Sequence, residues 1–262
     1  MNYETILVEK EGVKDRLTLK GTGHLNLMTP LMMRELNDYL GSLESDRDTR
    51  LVVISGEGDH FSGGLDIRSP LPVLDEGPDY AMNFMHDFGT TVLKMRRCPQ
   101  PIIALIRGAA SGGGLALALA SDIRIAGASA RMNAAFVRLG LSGAEMGVSF
   151  LLPRLIGGAM ASELCLTGRF VDAEEALRLN LVSRVVPDEA LEKTADDVAA
   201  EILANDAFAI RLTKETLNLS HSFGSLEAAI GFENRNQSLA FVGRSPREGV
   251  NAFRDKRKPQ FK

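Results

Sequence analysis

Two glycine-rich turns are the parts of this sequence whose residue types and spacing could do chemistry. Residues 60–69 read HFSGGLDIRS and residues 107–122 read RGAASGGGLALALASD, and each turn follows an apolar, strand-like run. Glycine disfavours helix formation, so three consecutive glycines at the start of a helix-like run need another reason. They could cradle a phosphate at a helix N-terminus, or let a substrate oxygen reach unpaired backbone N–H groups. Close packing of a helix on a strand is the alternative without chemistry.

Neither turn has the spacing of a familiar phosphate-binding motif. The chain has no G-x-G-x-x-G followed by an acid about 20 residues on, and no G-x-x-x-x-G-K-[ST]. Two turns that each follow a strand could instead aim one N–H each at a single oxygen. We therefore favour oxyanion stabilisation by backbone over phosphate binding.

The segments around the turns alternate between strand-like and helix-like patterns. One helix-like segment begins with Thr29 as a candidate N-cap and Pro30 at its first position. Strand, glycine turn and helix then recur, and after about residue 142 the sequence is almost wholly helical. This order predicts an α/β fold with crossover connections. We predict a core over residues 1–195 and a helical C-terminal region over residues 196–262.

Composition narrows the function classes. Lys and Arg total 30 against 34 Asp and Glu, a net charge of −4, so nothing suggests binding to nucleic acid or to an anionic membrane. Cys98 and Cys165 lie far apart with no metal-ligand spacing, which fits a reducing compartment. No apolar run approaches the roughly 20 residues of a membrane span, and the N-terminus lacks a secretory pattern. The sequence predicts a cytoplasmic protein without a metal.

Four stretches of the sequence resemble the enoyl-CoA hydratase/isomerase (crotonase) superfamily. They are FSGGLDI, IRGAASGGGLALALASDIRIAG, LPRLIGGAMASELCLTGRFVDAEEALRLNLVSRVVP and GVNAFRDKRKPQF, in family order over nearly the whole chain. The resemblance implies a spiral of ββα units and a helical C-terminal trimerisation region, in a homotrimer or a dimer of trimers. It also implies an acyl-CoA substrate. Coenzyme A then arrives as part of the substrate, and no permanently bound cofactor is implied.

By this resemblance, the backbone N–H groups of Leu65 and Gly113 form an oxyanion hole for the thioester carbonyl. Enolate-like charge on that oxygen would be held by the two donors and by the positive end of the following helix. The resemblance assigns the neighbouring residues of both turns to substrate binding: Ser62, Gly63, Gly64 and Gly112.

Further substrate-binding candidates also follow from the resemblance. His24 and Asn26 match a segment whose backbone contacts coenzyme A, and Phe136 and Leu139 suggest an apolar acyl pocket. Asp66 belongs to the first glycine turn, where we expect it to begin a helix rather than to catalyse.

The basic run RDKRK near the C-terminus, residues 254–258, has two interpretations. It is a solvated tail, or it contacts the phosphates of coenzyme A, on the same or a neighbouring subunit. Lys256 is the first candidate for that contact.

The sequence departs from the family where a hydratase carries two glutamates that hold and activate water. The first should stand two positions after the GGG run, where this chain has Ala116. The second should lie within ARMNAAFVRLGL, where the aligned residue is Phe136. Neither side chain can exchange a proton. The resemblance therefore implies a member that lacks both standard hydratase glutamates.

One acid remains nearby: Glu145, in GLSGAEMGVSFLLPRLIG. Some superfamily members place a catalytic carboxylate in this turn, shortly after the glycine that corresponds to Gly140. A carboxyl group facing an apolar pocket has a raised pKa, which suits proton transfer near neutral pH. The alternative is structural, because Ser142 followed by Glu145 has the spacing of a helix capping box.

The sequence thus predicts an acyl-CoA enzyme with an oxyanion hole and one acid/base, Glu145. Double-bond isomerisation suits a single carboxylate, and hydration stays open if Glu145 positions water with other help. The alternatives are a non-catalytic acyl-CoA-binding protein, or another reaction of the superfamily such as thioester hydrolysis, dehalogenation or decarboxylation.

Overall fold

The strand-like runs of the sequence form two sheets, which the helix-like runs cover. The computed structural model describes residues 3–243 and 245–261, and within these ranges it has nine strands and ten α-helices. The strands are β1 (Ile6–Glu11), β2 (Lys14–Leu19), β3 (Leu51–Gly56), β4 (Ile102–Ile106), β5 (Ala109–Ser111), β6 (Ile123–Gly127), β7 (Arg131–Asn133), β8 (Val171–Asp172) and β9 (Arg184–Val186). The helices are α1 (Pro30–Ser42), α2 (Pro78–Arg97), α3 (Gly113–Ala120), α4 (Val148–Ile156), α5 (Gly158–Thr167), α6 (Ala173–Arg178), α7 (Leu191–Leu203), α8 (Ala207–Ser220), α9 (Leu226–Phe241) and α10 (Ser245–Arg254). Short 3₁₀ helices span Pro72–Leu74, Ala135–Leu139 and Asp188–Ala190.

The larger sheet brings the two glycine turns together. Its order is β1-β2-β3-β4-β6-β9, with β1 and β2 antiparallel and the other neighbours parallel. The turns follow β3 and β4, which are direct neighbours with Val52 opposite Ile102. Because the carboxyl ends of parallel neighbours meet at one edge, both turns leave the sheet side by side, where ligands bind in open α/β sheets. The α/β prediction is confirmed.

A smaller sheet, β5-β7-β8, lies beyond that edge. β5 and β7 are parallel, with Ser111 opposite Asn133, and β8 runs antiparallel to β7. Its strand β5 leads directly into the three glycines of the second turn.

Helix α1 begins as the sequence predicts. The Thr29 hydroxyl oxygen accepts a hydrogen bond from the Met32 N–H at 3.2 Å, and Pro30 is the first helical residue. Such an N-cap contributes about 1 kcal/mol to stability.

Alternate residues of the central strands face two different cores. Val52 and Ile54 of β3 pack with α1 and α2, whereas Leu51 and Val53 pack with α7, beginning at Leu191. The predicted boundary after residue 195 therefore falls inside α7, a helix that lies on the core sheet. The division into two regions stays a prediction, while the helical character of the C-terminal part is confirmed.

Helix α8 is tied to the core by a buried lysine. The Lys214 ammonium pairs with Asp122 at 2.8 Å and donates to the carbonyl oxygens of Gln100 at 2.7 Å and Met95 at 3.0 Å. Helix α9 packs on α8, and α10 packs on α9. In the described part of the chain, no helix combines the length and the apolar character that a membrane crossing requires.

Candidate active site

The first glycine turn leaves one backbone donor free. The Met28 N–H donates to the Gly64 carbonyl at 2.8 Å, and the Asp66 N–H donates to the Met28 carbonyl at 2.9 Å. This is a parallel bridge between Met28 and Leu65, so the N–H of Leu65 itself points away from Met28. Among the described residues, none accepts the Leu65 N–H. That donor is available to a ligand.

The second glycine turn leaves another backbone donor free. The Gly112 N–H donates to the Asn133 carbonyl at 2.9 Å, which ties the turn to β7. Helix α3 begins at Gly113, and the first N–H groups of a helix have no partner within it. No acceptor for the Gly113 N–H lies within the part of the chain that the structure describes. All eight residues of α3 are buried, so its positive end is shielded from bulk water.

The two turns are in direct contact. The Ser62 N–H donates to the Ala109 carbonyl and the Ser111 N–H to the Ser62 carbonyl, both at 2.9 Å. A β-carbon on Gly114 would lie 2.2 Å from the Ser62 carbonyl oxygen, so a side chain there would force the turns apart. Within the GGG run, close packing therefore explains Gly114, while Gly113 supplies a free donor.

Leu65 and Gly113 line one cavity of about 360 Å³. Helix α2 contributes the rings of Phe84 and Phe88, and the 3₁₀ helix Ala135–Leu139 contributes Phe136. A mostly apolar cavity of this size with few polar groups is typical of a small-molecule site.

Among the described residues that line this cavity, Glu145 is the only acid. Its carbonyl accepts the Val148 N–H at 2.9 Å, and the two residues between them, Met146 and Gly147, have φ of +49° and +79°. Positive φ at both central positions is typical of a type I′ turn, and it is uncommon for methionine. The turn places Glu145 at the cavity wall rather than in a helix.

The environment of Glu145 favours its neutral form. Burial raises the pKa of its carboxyl group. No described group hydrogen-bonds the carboxylate or pairs with it. Desolvation without a compensating cation is a common way to bring a carboxyl pKa toward neutrality.

The capping-box interpretation of Ser142 and Glu145 is wrong. Helix α4 begins only at Val148, with Gly147 as its N-cap residue. The Ser142 hydroxyl lies 3.4 to 3.5 Å from the backbone of Ala144 and does not cap a helix. The two residues with left-handed backbone after Glu145 prevent the helix from starting earlier.

The two positions aligned with hydratase glutamates differ in their surroundings. Ala116 is fully buried within α3 and does not line the cavity, whereas Phe136 does. At the position predicted to align with the second glutamate, the cavity wall is thus an apolar ring.

The predicted coenzyme-binding segment contributes Leu25 and Leu27 to the cavity wall, while its Asn26 side chain has a structural role. The Asn26 amide donates to the carbonyl oxygens of Glu57 at 2.9 Å and His60 at 2.8 Å, and the Ser62 hydroxyl donates to the Asn26 carbonyl at 2.8 Å. His24 is exposed, and its ring forms a T-shaped pair with that of His60, with the ring centres 5.8 Å apart. None of the three predicted residues lines the cavity, whereas Gly63, Gly64 and Gly112 of the turns do.

Asp66 does not begin a helix. Its carboxylate accepts hydrogen bonds from the Arg68 N–H at 3.0 Å and from the Ser69 hydroxyl at 2.8 Å, which closes a turn. Burial alone would raise the pKa of Asp66, but these hydrogen bonds outweigh it and hold the pKa below its usual range. The side chain is therefore fixed in its own turn.

Leu139 lines the cavity, but Lys256 does not. Lys256 is exposed beyond the end of α10, and its role toward the phosphates of coenzyme A stays a prediction.

Sequence analysis missed several cavity residues: Phe84, Phe88, Arg138 and Phe170. The first two stand four residues apart in α2 and therefore share one helix face, a signal that the sequence contains. Arg138 and Phe170 lie on different elements, and no local pattern joins them.

No cluster of metal-ligating side chains occurs among residues 3–243 and 245–261. Two residues with free backbone donors and one partly buried carboxyl group line an apolar cavity instead. An α/β fold with this site has the form of an enzyme that stabilises an oxyanion while a proton moves.

Comparison with known proteins identifies the family. The sequence model described as enoyl-CoA hydratase/isomerase matches residues 9–262. The chain belongs to the enoyl-CoA hydratase/isomerase family, an enzyme family that acts on acyl-CoA, and the resemblance seen in the sequence is confirmed.

Relatives cover nearly the whole chain. The probable enoyl-CoA hydratase EchA12 of Mycobacterium tuberculosis is 40% identical over 251 residues, which is 94% of this chain and 88% of that protein. The 1,2-epoxyphenylacetyl-CoA isomerase of Escherichia coli is 34% identical over 259 residues, 98% of both chains. The crystal structure of a probable enoyl-CoA hydratase/isomerase from Mycobacterium abscessus superimposes with a TM-score of 0.92 at 36% identity, covering 99% of both chains. The crotonase fold is confirmed.

Proposed function

We propose that this enzyme moves the double bond of an enoyl-CoA thioester, with Glu145 as the proton carrier. The N–H groups of Leu65 and Gly113 hold the thioester oxygen. One observation supports the choice of isomerisation: within the described cavity wall Glu145 is the only carboxyl group, and it has no partner. A single carboxyl group suffices for isomerisation because the proton it removes is the one it returns.

The reaction balances with these groups alone. The ionised Glu145 takes a proton from C2 of a 3-enoyl thioester, and the electron pair of that bond moves toward the thioester carbonyl. The product is a dienolate whose negative charge lies on the oxygen held by the two N–H donors. The neutral Glu145 then returns the proton to C4, and the double bond lies between C2 and C3. Coenzyme A enters as part of the substrate, and this chemistry requires no resident cofactor.

The two kinds of group supply different parts of the rate. A fixed backbone donor to an oxyanion is worth roughly 3–4 kcal/mol in the transition state. A positioned acid/base contributes about 10²–10⁴-fold. Loss of Glu145 should therefore remove turnover without removing substrate binding.

Hydration of a 2-enoyl thioester is the second candidate, because curated relatives carry hydratase names. It needs a second group that positions water, and Phe136, the cavity residue predicted to align with a hydratase glutamate, is apolar. A product that has gained one water would support this candidate.

The first test is an incubation of 3-hexenoyl-CoA in deuterated water, analysed by mass spectrometry. We expect the wild type to yield 2-hexenoyl-CoA, labelled with deuterium only to the extent that the neutral Glu145 exchanges its proton with solvent before returning it, and Glu145→Gln to lose about 10²–10⁴-fold of the rate. Glu44→Gln is the matched control, because Glu44 is exposed and makes no ion pair among the described residues. Equal rates in all three proteins contradict the role of Glu145. Binding of the thioester by the wild type without any turnover would favour a non-catalytic acyl-CoA-binding protein.

We also propose a homotrimer or a dimer of trimers. Large apolar side chains stay exposed on the C-terminal helices of the single chain, with Leu226 73%, Phe241 68% and Phe253 86% exposed. Exposed apolar side chains of this size are candidates for burial at a subunit interface. Sedimentation analysis would give the mass of the assembly. A cytoplasmic location stays a prediction.

A further inference from the structure

Two arginines share one aromatic ring at the edge of the cavity. Arg138, in the 3₁₀ helix Ala135–Leu139, lines the cavity, and its guanidinium carbon lies 5.5 Å from the centre of the Phe170 ring. The guanidinium carbon of Arg131, at the start of β7, lies 5.1 Å from the same ring centre. The two positive charges are therefore at most about 11 Å apart.

The acids around this pair are engaged elsewhere. Asp172 stands opposite Arg131 across β7 and β8, but its carboxylate accepts the Glu175 N–H at 2.8 Å. The carboxylates of Glu163 and Glu175 pair with Arg169, at 2.7 and 2.8 Å. Within the described part of the chain, neither arginine of the pair has an acid within ion-pair distance.

Glu145 is not their partner either. Its pKa is raised by burial, and no nearby cation offsets that effect. Arg138 therefore contributes a positive charge to the cavity that no acid of the described residues neutralises.

The Arg138 side chain is held in place before any ligand arrives. Phe170 attracts the guanidinium through its ring face. The side-chain stem rests on Gly168, where a β-carbon would lie 3.1 Å from the Arg138 Cγ. A guanidinium that is already oriented loses less freedom when it binds an anion.

We propose that Arg138 is a specificity-determining residue that binds an oxyanion group of the substrate other than the thioester oxygen, assisted by Arg131. This inference rests on the proposed acyl-CoA function. The planar fork of arginine matches a carboxylate or a phosphate through two parallel hydrogen bonds. Two sources fit this chemistry, namely a carboxylate on the acyl group and a phosphate of coenzyme A. Arg138 shares its 3₁₀ helix with Phe136 and Leu139, the predicted acyl-pocket residues, so we expect the acyl carboxylate of a dicarboxylic thioester.

Binding measurements test this without any turnover. Titration calorimetry would compare hexanoyl-CoA with hexanedioyl-CoA, which differ by a carboxylate at the far end of the acyl chain. We expect the wild type to bind the dicarboxylic thioester about 10- to 100-fold more tightly, as for a hydrogen bond to a charged group. Arg138→Gln should lose this preference, and Arg138→Lys should keep part of it. Arg154→Gln is the control, because Arg154 also stacks on a ring, that of Phe150, but does not line this cavity.

A second pair of ligands distinguishes the two possible sources of the oxyanion. The same acyl groups on pantetheine lack the phosphates of coenzyme A. If Arg138 binds the acyl carboxylate, Arg138→Gln weakens only the dicarboxylic ligands, on either carrier. If Arg138 binds a phosphate, the variant binds both coenzyme A ligands more weakly, by the same factor, and binds both pantetheine ligands as the wild type does. Arg138 then still binds an oxyanion, and that oxyanion is a phosphate of coenzyme A.

Two results would overturn the proposal, and they differ. In the first, Arg138→Gln binds each of the four ligands as tightly as the wild type does, which would show that Arg138 binds no oxyanion of the substrate. A wild type that binds none of the ligands would overturn the acyl-CoA function of the cavity, and this inference with it. Circular dichroism of each variant confirms that the fold is retained.

Discussion

Gly64, which directly precedes the proposed donor Leu65, packs against the turn that carries the other proposed donor, Gly113. A β-carbon at Gly64 would lie 3.3 Å from the Gly113 nitrogen and 2.7 Å from the Ser111 carbonyl oxygen. The φ of Gly64 is +88°, a backbone conformation that other residues rarely adopt. The geometry of the proposed oxyanion hole thus depends on the absence of a side chain at this position.

Gly64→Ala should therefore lose both activity and stability. The added methyl group would push the Gly113 turn away, and displacing one donor costs about 10²–10³-fold in rate. The positive φ adds a destabilisation of roughly 1–3 kcal/mol. Turnover of 3-hexenoyl-CoA and urea unfolding measure the two effects.

Gly12→Ala is the control that separates the effect of a positive φ from the effect of contact between the two turns. Gly12 has a φ of +65°, but a β-carbon there would meet nothing within 4 Å. This variant should lose stability and keep full activity. Equal activity of Gly64→Ala and Gly12→Ala would show that the contact between the turns does not position the donors.

The raised pKa of Glu145 predicts a pH dependence of the rate. Glu145 must be ionised to remove the first proton. The value of kcat/KM should therefore be constant at pH values above the pKa of Glu145 and fall tenfold per pH unit below that pKa. Because burial raises this pKa, the midpoint should lie above the usual glutamate value of about 4.3. A pH–rate profile of the wild type measures the midpoint. A midpoint at or below the usual value would contradict an apolar environment for the working carboxylate.

The same shift predicts that Glu145→Gln is more stable than the wild type at neutral pH. The folded state binds a proton at Glu145 more tightly than the unfolded state, so the free energy of unfolding falls as the pH rises between the two pKa values. Above the folded pKa the full cost of a buried charge remains, and glutamine removes it. Thermal unfolding should show a higher midpoint for the variant at pH 7, and the difference should vanish in acid below the unfolded pKa. Glu44→Gln should show no such difference.

Much of the fold could be predicted because its signals are local. The Thr29 cap, the apolar runs of β3 and β4 and the glycine turns after them each depend on a few consecutive residues. The meeting of the two turns follows from strand order, which the α/β pattern indicates. Local signals therefore marked the two turns, and the family resemblance assigned Leu65 and Gly113 as the proposed donors.

The environment of Glu145 could not be predicted in the same way. Ser142 and Glu145 have the spacing of a cap, but tertiary contacts override it. A β-carbon on Gly143 would lie 2.3 Å from the Cys165 carbonyl oxygen, so this turn is pressed against the end of α5. Likewise, Arg138 and Phe170 meet across separate elements, and no pattern in the sequence marks that contact.

The buried ion pair of Lys214 and Asp122 predicts that the packing of the C-terminal helices on the core contributes to the stability of the protein. The Lys214 side chain is 5% exposed, so Lys214→Met would leave Asp122 without its close cation and two carbonyl oxygens without their N–H donor. Breaking one side of a buried pair costs roughly 3–5 kcal/mol. Lys193→Met is the matched control, because the Lys193 side chain is 78% exposed and pairs with Asp197 along one helix. That pair should contribute less than about 0.5 kcal/mol. Urea unfolding of both variants compares them, and similar losses would show that Lys214 does not anchor α8. A large loss confined to Lys214→Met would identify this ion pair as the link between the C-terminal helices and the sheet that positions the site.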